Sequence, residues 1–439
     1  MKRSSFDFFR IAFVAVAIIV GCTATGCRPT EPEATLTPSG PQPTVTVPFE
    51  LPVTIAISGR FGDALLPILD DQIAAFEAAN PDIQAEIVRA KVSPDQRREQ
   101  FSTALENGDT TVDVYVVDDS WLAEFAARGW LVPLDLYVTA SGLEMDAFLA
   151  ATVQASVVDG QSMALPWTAD GGLIYYRQDL FAQSGHGSPE DWPELQALAL
   201  DAKAQGDLPY GFVWQGAPYE SLTCNTLEYI WANGGDVLDS EGTPIFDSPQ
   251  TQAALQQMED LLATGASPQE VTGFGEAQSL EVFQDRDAAL MRNWSFAWAE
   301  LQGSESGVAG QVGVAPLPAP CLLGQSLALS ANSMHPEQAF RFMAFLAGYD
   351  QQVHLAQQSG LPPALEAAYQ DAELLATRPV FAVLYTAYAN SRPRPQTPQY
   401  VQVSEAIYTE VNAMLAGKQN AAETAANVQQ RLETILGGR

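Results

Sequence analysis

Basic residues are scarce: 21 Lys and Arg stand against 53 Asp and Glu in 439 residues, a net charge of −32. A surface of that sign repels phosphate backbones, which excludes nucleic acid as a partner. Histidine is scarcer still, with His186, His335 and His354 far apart and in no H-E-x-x-H helix, so no metal site is expected. Neither a G-x-x-x-x-G-K-[ST] phosphate loop nor a G-x-G-x-x-G dinucleotide turn occurs, and GSESG (303–307) has Glu305 where a nucleophile elbow needs Ser. No cofactor is expected, and the enzyme signatures that can be checked are missing. Two acids distant in sequence leave no signature, so a secreted carboxylate glycoside hydrolase stays open as an alternative.

Long apolar runs are lacking as well. Ile11–Val20, behind Lys2, Arg3 and Arg10, is ten residues long, too short to span a bilayer and suited to a secretory signal. It ends in Ile19-Val20-Gly21-Cys22, which resembles the bacterial lipoprotein signal; Ala24-Thr25-Gly26-Cys27 offers the alternative acceptor Cys27. Residues 1–21 are therefore expected to be a signal peptide. Residues 22–52 are expected to be a lipid-anchored linker, because 28–52 hold seven prolines and five threonines and little that builds a core. The expected location is extracytoplasmic, tethered to the membrane through lipid. Cysteine is otherwise limited to Cys224 and Cys321. An exported compartment permits a disulfide, but their separation in sequence does not show whether they approach.

What remains is patterned as alternating strand and helix, at a length that suggests two lobes. Residues 52–58, 83–88 and 112–118 read as strands. Helices are expected over 63–80, from Ser93-Pro94 to Gly108, and over 121–129 to Gly129. A second series follows: a helix over 188–205, a strand at 211–214, helices from 219 and from Ser248-Pro249, strands at 310–318 and 325–330, and mostly helix after His335. Acids or aromatics at the carboxyl ends of such strands are candidates for ligand contact.

Five stretches carry a resemblance: VDVYVVDDSWLAEFAARGWLVPLD (112–135), ALPWTADGGLIYYRQDLF (164–181), GFVWQGAPYESLTCNTLEYIWANGG (211–235), ALMRNWSFAW (289–298) and RPQTPQYVQVSEAI (394–407). Together they resemble the solute-binding proteins of sugar-importing ATP-binding cassette transporters, those for trehalose and maltose above all. The resemblance implies an α/β, two-lobed, type II periplasmic-binding-protein-like fold with a hinge between lobes. Lobe one is expected over 53–167 with 322–376, and lobe two over 168–321 with 377–439. It also implies a neutral disaccharide or short oligosaccharide as ligand, a membrane permease as partner, and a monomer. A sensor or adhesion module that binds sugar without transport is a further alternative.

A sugar presents hydroxyl edges and apolar C–H faces, so its site needs acids and Arg at the rim and aromatic planes over the faces. The resemblance points to Asp118, Trp121, Asp170, Tyr219, Glu220, Trp294 and Arg394 as contacts. Competing readings are a helix cap for Asp118, an Asx-turn for Asp170, a helix start for Tyr219 and Glu220, and a surface residue for Arg394. In "MRNWSFAW" Trp294 is expected as the platform, with Phe296 and Trp298 as core. Asp63, after the first strand, is a candidate contact, though a helix cap has the edge. Gln325 stands where relatives of the resembling family carry a nearby tryptophan, so the identity of the sugar is open.

Overall fold

The computed structural model describes residues 52–206 and 208–437. The expected signal, Cys22, Cys27 and the spacer before Pro52 lie outside the described residues. Among the described residues no helix is long and apolar enough to cross a membrane.

Val, Ile and Tyr, whose branched and aromatic side chains favour strands, recur in most of the strands, though LPWT (165–168), AALMRN (288–293) and QSLAL (325–329) hold none of them. β1 (Val53–Gly59), β2 (Ile83–Arg89), β3 (Val114–Asp118), β4 (Leu165–Thr168) and β9 (Gln325–Leu329) make one sheet, ordered β2-β1-β3-β9-β4. The first three are parallel, and β9 runs antiparallel to both β3 and β4. β5 (Leu173–Arg177), β6 (Tyr210–Val213), β7 (Ala288–Asn293) and β8 (Val312–Pro316) make the second sheet, ordered β8-β5-β7-β6.

Strand alternation sends successive side chains to opposite faces, and both sheets use it to build a core on each side. In β3, Val114 and Val116 pack with helix Leu66–Ala79 and helix Pro336–Leu346, while Tyr115 and Val117 face Phe101, Trp121 and Phe125. In β5, Ile174 joins the cluster under helices Trp192–Gly206 and Glu220–Ala232, whereas Leu173 and Tyr175 join one containing Phe381, Leu384 and Tyr388.

Helix ends follow local chemistry only in part. Gly108 and Gly129 take φ of 70° and 69° just past the helices they end, a left-handed conformation cheap for glycine. Ser248 accepts from Thr251 N at 3.2 Å as a cap, but Ser93 makes no side-chain cap bond. Asp63 does not cap either: the helix starts at Leu66, two residues beyond its reach, with Leu65 as N-cap.

Three chain segments cross between the sheets side by side. Leu323 N donates to Asp170 O (2.8 Å), Leu322 N to Arg392 O (2.9 Å) and Arg392 N to Pro320 O (2.9 Å), tying 169–172, 317–324 and 391–396 together.

Candidate functional site

Strand direction brings the candidate residues to one edge of each sheet. Asp118 ends β3; Gln325, at the start of antiparallel β9, pairs in register with both Asp118 and Thr168. In the second sheet Leu173 pairs with Asn293, so Asp170, just before β5, and Trp294, just after β7, emerge together. Tyr219 and Glu220 follow the end of β6, parallel to β7, and begin helix Glu220–Ala232.

Arg394, on the third crossing segment, is the hub. Its Nη2 lies 2.5 Å from Asp118 Oδ1 and its Nη1 2.9 Å from Glu220 Oε1. Its side chain is 3% exposed, against 18% for Asp118 and 36% for Glu220, so a buried guanidinium holds two carboxylates that still meet solvent. Burial works against the charge on Arg394, but Asp118, Tyr400 and Glu220 outweigh it and push its pKa further up. Glu220 accepts further bonds from Tyr400 OH (2.5 Å) and Ser404 Oγ (2.6 Å). Asp118 Oδ1 also accepts from Ser120 N at 3.0 Å, so the cap and the ion pair coexist.

The neighbouring Ser221 starts a second cluster around Glu276. Glu276 accepts from Ser221 Oγ, from Tyr219 OH (2.6 Å) and from Trp294 Nε1 (3.1 Å). Burial pushes this carboxyl up, yet the bonds from Ser221, Tyr219 and Trp294 win and hold it below its ordinary range. Asp170 closes the chain of contacts: its Oδ1 accepts from Gly171 N (2.8 Å), Ser295 N (3.2 Å) and Tyr388 OH (3.0 Å), while burial pushes its pKa up. Asp118, Arg394, Glu220, Ser221, Glu276, Trp294, Ser295 and Asp170 are thereby linked from the first sheet's edge across the second.

The aromatic expectations need correction. Trp294 is only 4% exposed; Arg292 Cζ sits 3.8 Å above its ring, and that guanidinium is itself locked to Glu228 (2.5 Å) with both side chains fully buried. Phe296, expected in the core, is 46% exposed, because the chain turns after Asn293 into helix Ala297–Leu301 and loses strand alternation. Trp298 packs partly buried, as expected. Trp121 belongs to the core of the first sheet, between Phe101 and Phe125 with Arg97 over its ring, rather than to the polar network. Asp63 stands apart too, its side chain 93% exposed in a surface pair with Arg89.

Sequence reasoning missed Glu276, Tyr388, Tyr400 and Phe296, and also Asp119. Asp119 is buried beside the hub; Ser326 Oγ donates to its Oδ1 at 2.6 Å, and Oδ2 has no partner among the described residues. Burial raises its pKa to about 7 against that bond from Ser326. A small cleft lined by Asp119, Ser120, Leu322, Arg394 and Gln396 adjoins it. Among the described residues no group of His, Cys, Asp and Glu is arranged to hold a metal ion.

Comparison with known proteins agrees with this architecture. The profile of the bacterial extracellular solute-binding proteins matches residues 62–353. A probable ABC transporter-binding protein of Deinococcus radiodurans is 33% identical over 367 residues, covering 80% of this chain and 86% of that relative. The maltose-bound structure of T. maritima MalE3 is 36% identical, with a TM-score of 0.76 over 87% of this chain and 99% of that one. The cyclic α-maltosyl-1,6-maltose binding protein of Arthrobacter globiformis, 21% identical with a TM-score of 0.77 over 88% of this chain and all of that one, shares the fold. These are binding proteins by name, not enzymes, and the family is extracytoplasmic. The chain belongs to the bacterial extracellular solute-binding proteins, with the two-lobed, hinged α/β type II fold of sugar importers of the ATP-binding cassette class.

Proposed function

We propose that the chain captures a neutral disaccharide or short oligosaccharide, of the trehalose or maltose kind, between lobe one (53–167 with 322–376) and lobe two (168–321 with 377–439), and delivers it to a membrane permease. The observation that carries this reading is the chain Asp118–Arg394–Glu220, which joins the end of β3 to the helix after β6 through a nearly buried guanidinium. Partly exposed carboxylates accept from sugar hydroxyls, and a fixed guanidinium donates to them. Tyr219, Asp170 and Gln325 extend the same surface, Trp294 backs it from within, and exposed Phe296 supplies an apolar plane for a sugar face. In this reading Asp63 and Trp121 act indirectly at most. The 36% identity to a maltose-bound protein supports the ligand class.

The protein is proposed to work as a monomer held to the membrane by lipid on Cys22, or alternatively Cys27. Closure about the three crossing segments buries the sugar, and the permease recognises the closed form. A hydrolase reading gains little: Asp119, whose carboxyl burial raises to about 7, is buried with Oδ1 bonded by Ser326 Oγ, and among the described residues no second carboxyl is placed opposite it across the small cleft. A thermal-shift screen of monosaccharides, disaccharides, polyols and amino acids tests the reading. A ligand at a hundred times its Kd adds about 2.7 kcal/mol of stability, so a disaccharide is expected to raise Tm by several degrees. A rise with amino acids alone would contradict it.

A further inference from the structure

Cys224, on helix Glu220–Ala232 one turn after Glu220, and Cys321, on the second crossing segment, are both fully buried and bring their Sγ atoms to 2.7 Å. The contact joins positions 97 residues apart. It lies beneath the candidate site: Cys321 N donates to Glu228 Oε1 at 3.2 Å, the carboxylate that locks Arg292 under Trp294. Cys321 also pairs with Arg392 on the third crossing segment, two residues before Arg394. Two thiols in such contact, in a family that works outside the cytoplasm, sit where oxidation is sustained.

We propose that Cys224 and Cys321 are joined as a disulfide in the exported protein, tying the second crossing segment to the second lobe. The Sγ–Sγ bond forms by exchange with an external disulfide. One cysteine thiolate attacks the donor, giving a mixed disulfide and releasing the first donor thiolate. The other cysteine thiolate then attacks the protein sulfur of that mixed disulfide and releases the second. Two electrons pass to the donor, and the two protons lost from the cysteines end on the donor thiols. Full burial shuts an oxidant out of the folded protein and pushes the Cys224 thiol well above its usual range, so the exchange belongs to folding, before segment 317–324 closes over the helix. Hinge bending then takes place on the β9 side of Cys321, with 317–321 moving as part of the second lobe. The inference is independent of the ligand.

The test is peptide mapping of the exported full-length protein, unfolded in guanidinium with an alkylating reagent and no reductant. The expected result is a linked pair of peptides holding Cys224 and Cys321, lighter by two hydrogens than the sum of its parts, in nearly all molecules. Both cysteines recovered separately alkylated would overturn the proposal. As a second reading, protein reduced in denaturant and refolded under reductant should melt roughly 6 °C lower than the oxidised form, with reoxidation restoring Tm. An unchanged Tm would overturn the structural tie.

Discussion

Asp119→Asn should abolish a pH dependence of stability that one carboxyl imposes. In the native protein burial raises the Asp119 pKa from 3.8 to about 7, although Ser326 donates to it. The native state then holds a proton that the unfolded chain gives up above pH ~4. Stability on this account is full below pH ~4, falls as pH rises towards 7, and is flat beyond. Roughly three pKa units at 1.36 kcal/mol each make about 4 kcal/mol. Asn keeps an oxygen for Ser326 Oγ and has no charge to desolvate, so it escapes the loss. Urea unfolding of both proteins at pH 4, 5, 6, 7 and 8 reads the difference. The variant should match the wild type within ~1 kcal/mol at pH 4 and exceed it by up to about 4 kcal/mol at pH 8. Parallel profiles would refute the reasoning, and so would a gap that widens towards acid.

Two other substitutions separate packing from binding. Gly172→Ala places a Cβ 2.1 Å from Glu228 Oε1 and 2.5 Å from Arg292 Nη2. That forces apart a fully buried ion pair, and a loss of about 3 kcal/mol or more is expected in denaturant unfolding. Phe296→Ala removes a ring that is 46% exposed, so Tm should hold while affinity for the best sugar in a titration drops about tenfold. Unchanged affinity would remove Phe296 from the site.

β1, β2, β3, β6, β8 and β9 were legible because their chemistry is local, whereas β4 and β7 were not forecast. The valine-rich run VYVVD placed β3 within two residues of expectation, and the apolar alternation in QSLAL placed β9 at Gln325–Leu329 within one. Helix boundaries were less so: the acid at Asp63 looks like a cap, but the chain between it and Leu66 takes turns that no local pattern marks. The alternation Trp294, Phe296, Trp298 misled for a definite reason, since side chains alternate only while the strand lasts and β7 stops at Asn293. Asp118, Glu220 and Arg394 were found through motifs, but nothing in sequence forecasts that Arg394 pairs with an acid 276 residues away. Glu276 left no signal: it opens an ordinary helix and gains its role from Tyr219, Ser221 and Trp294, which only the fold brings to it.

The most direct test of the account is calorimetric titration of maltose and of trehalose into the wild type and into the double variant Asp118→Asn/Glu220→Gln. Each substitution removes a charge-assisted acceptor worth about 1.5 kcal/mol or more, so the pair should weaken binding a hundredfold or beyond. The account predicts one disaccharide bound per wild-type chain and that loss in a variant whose circular dichroism is unchanged. Equal affinity in the two proteins, or no binding of either sugar by the wild type, would contradict it.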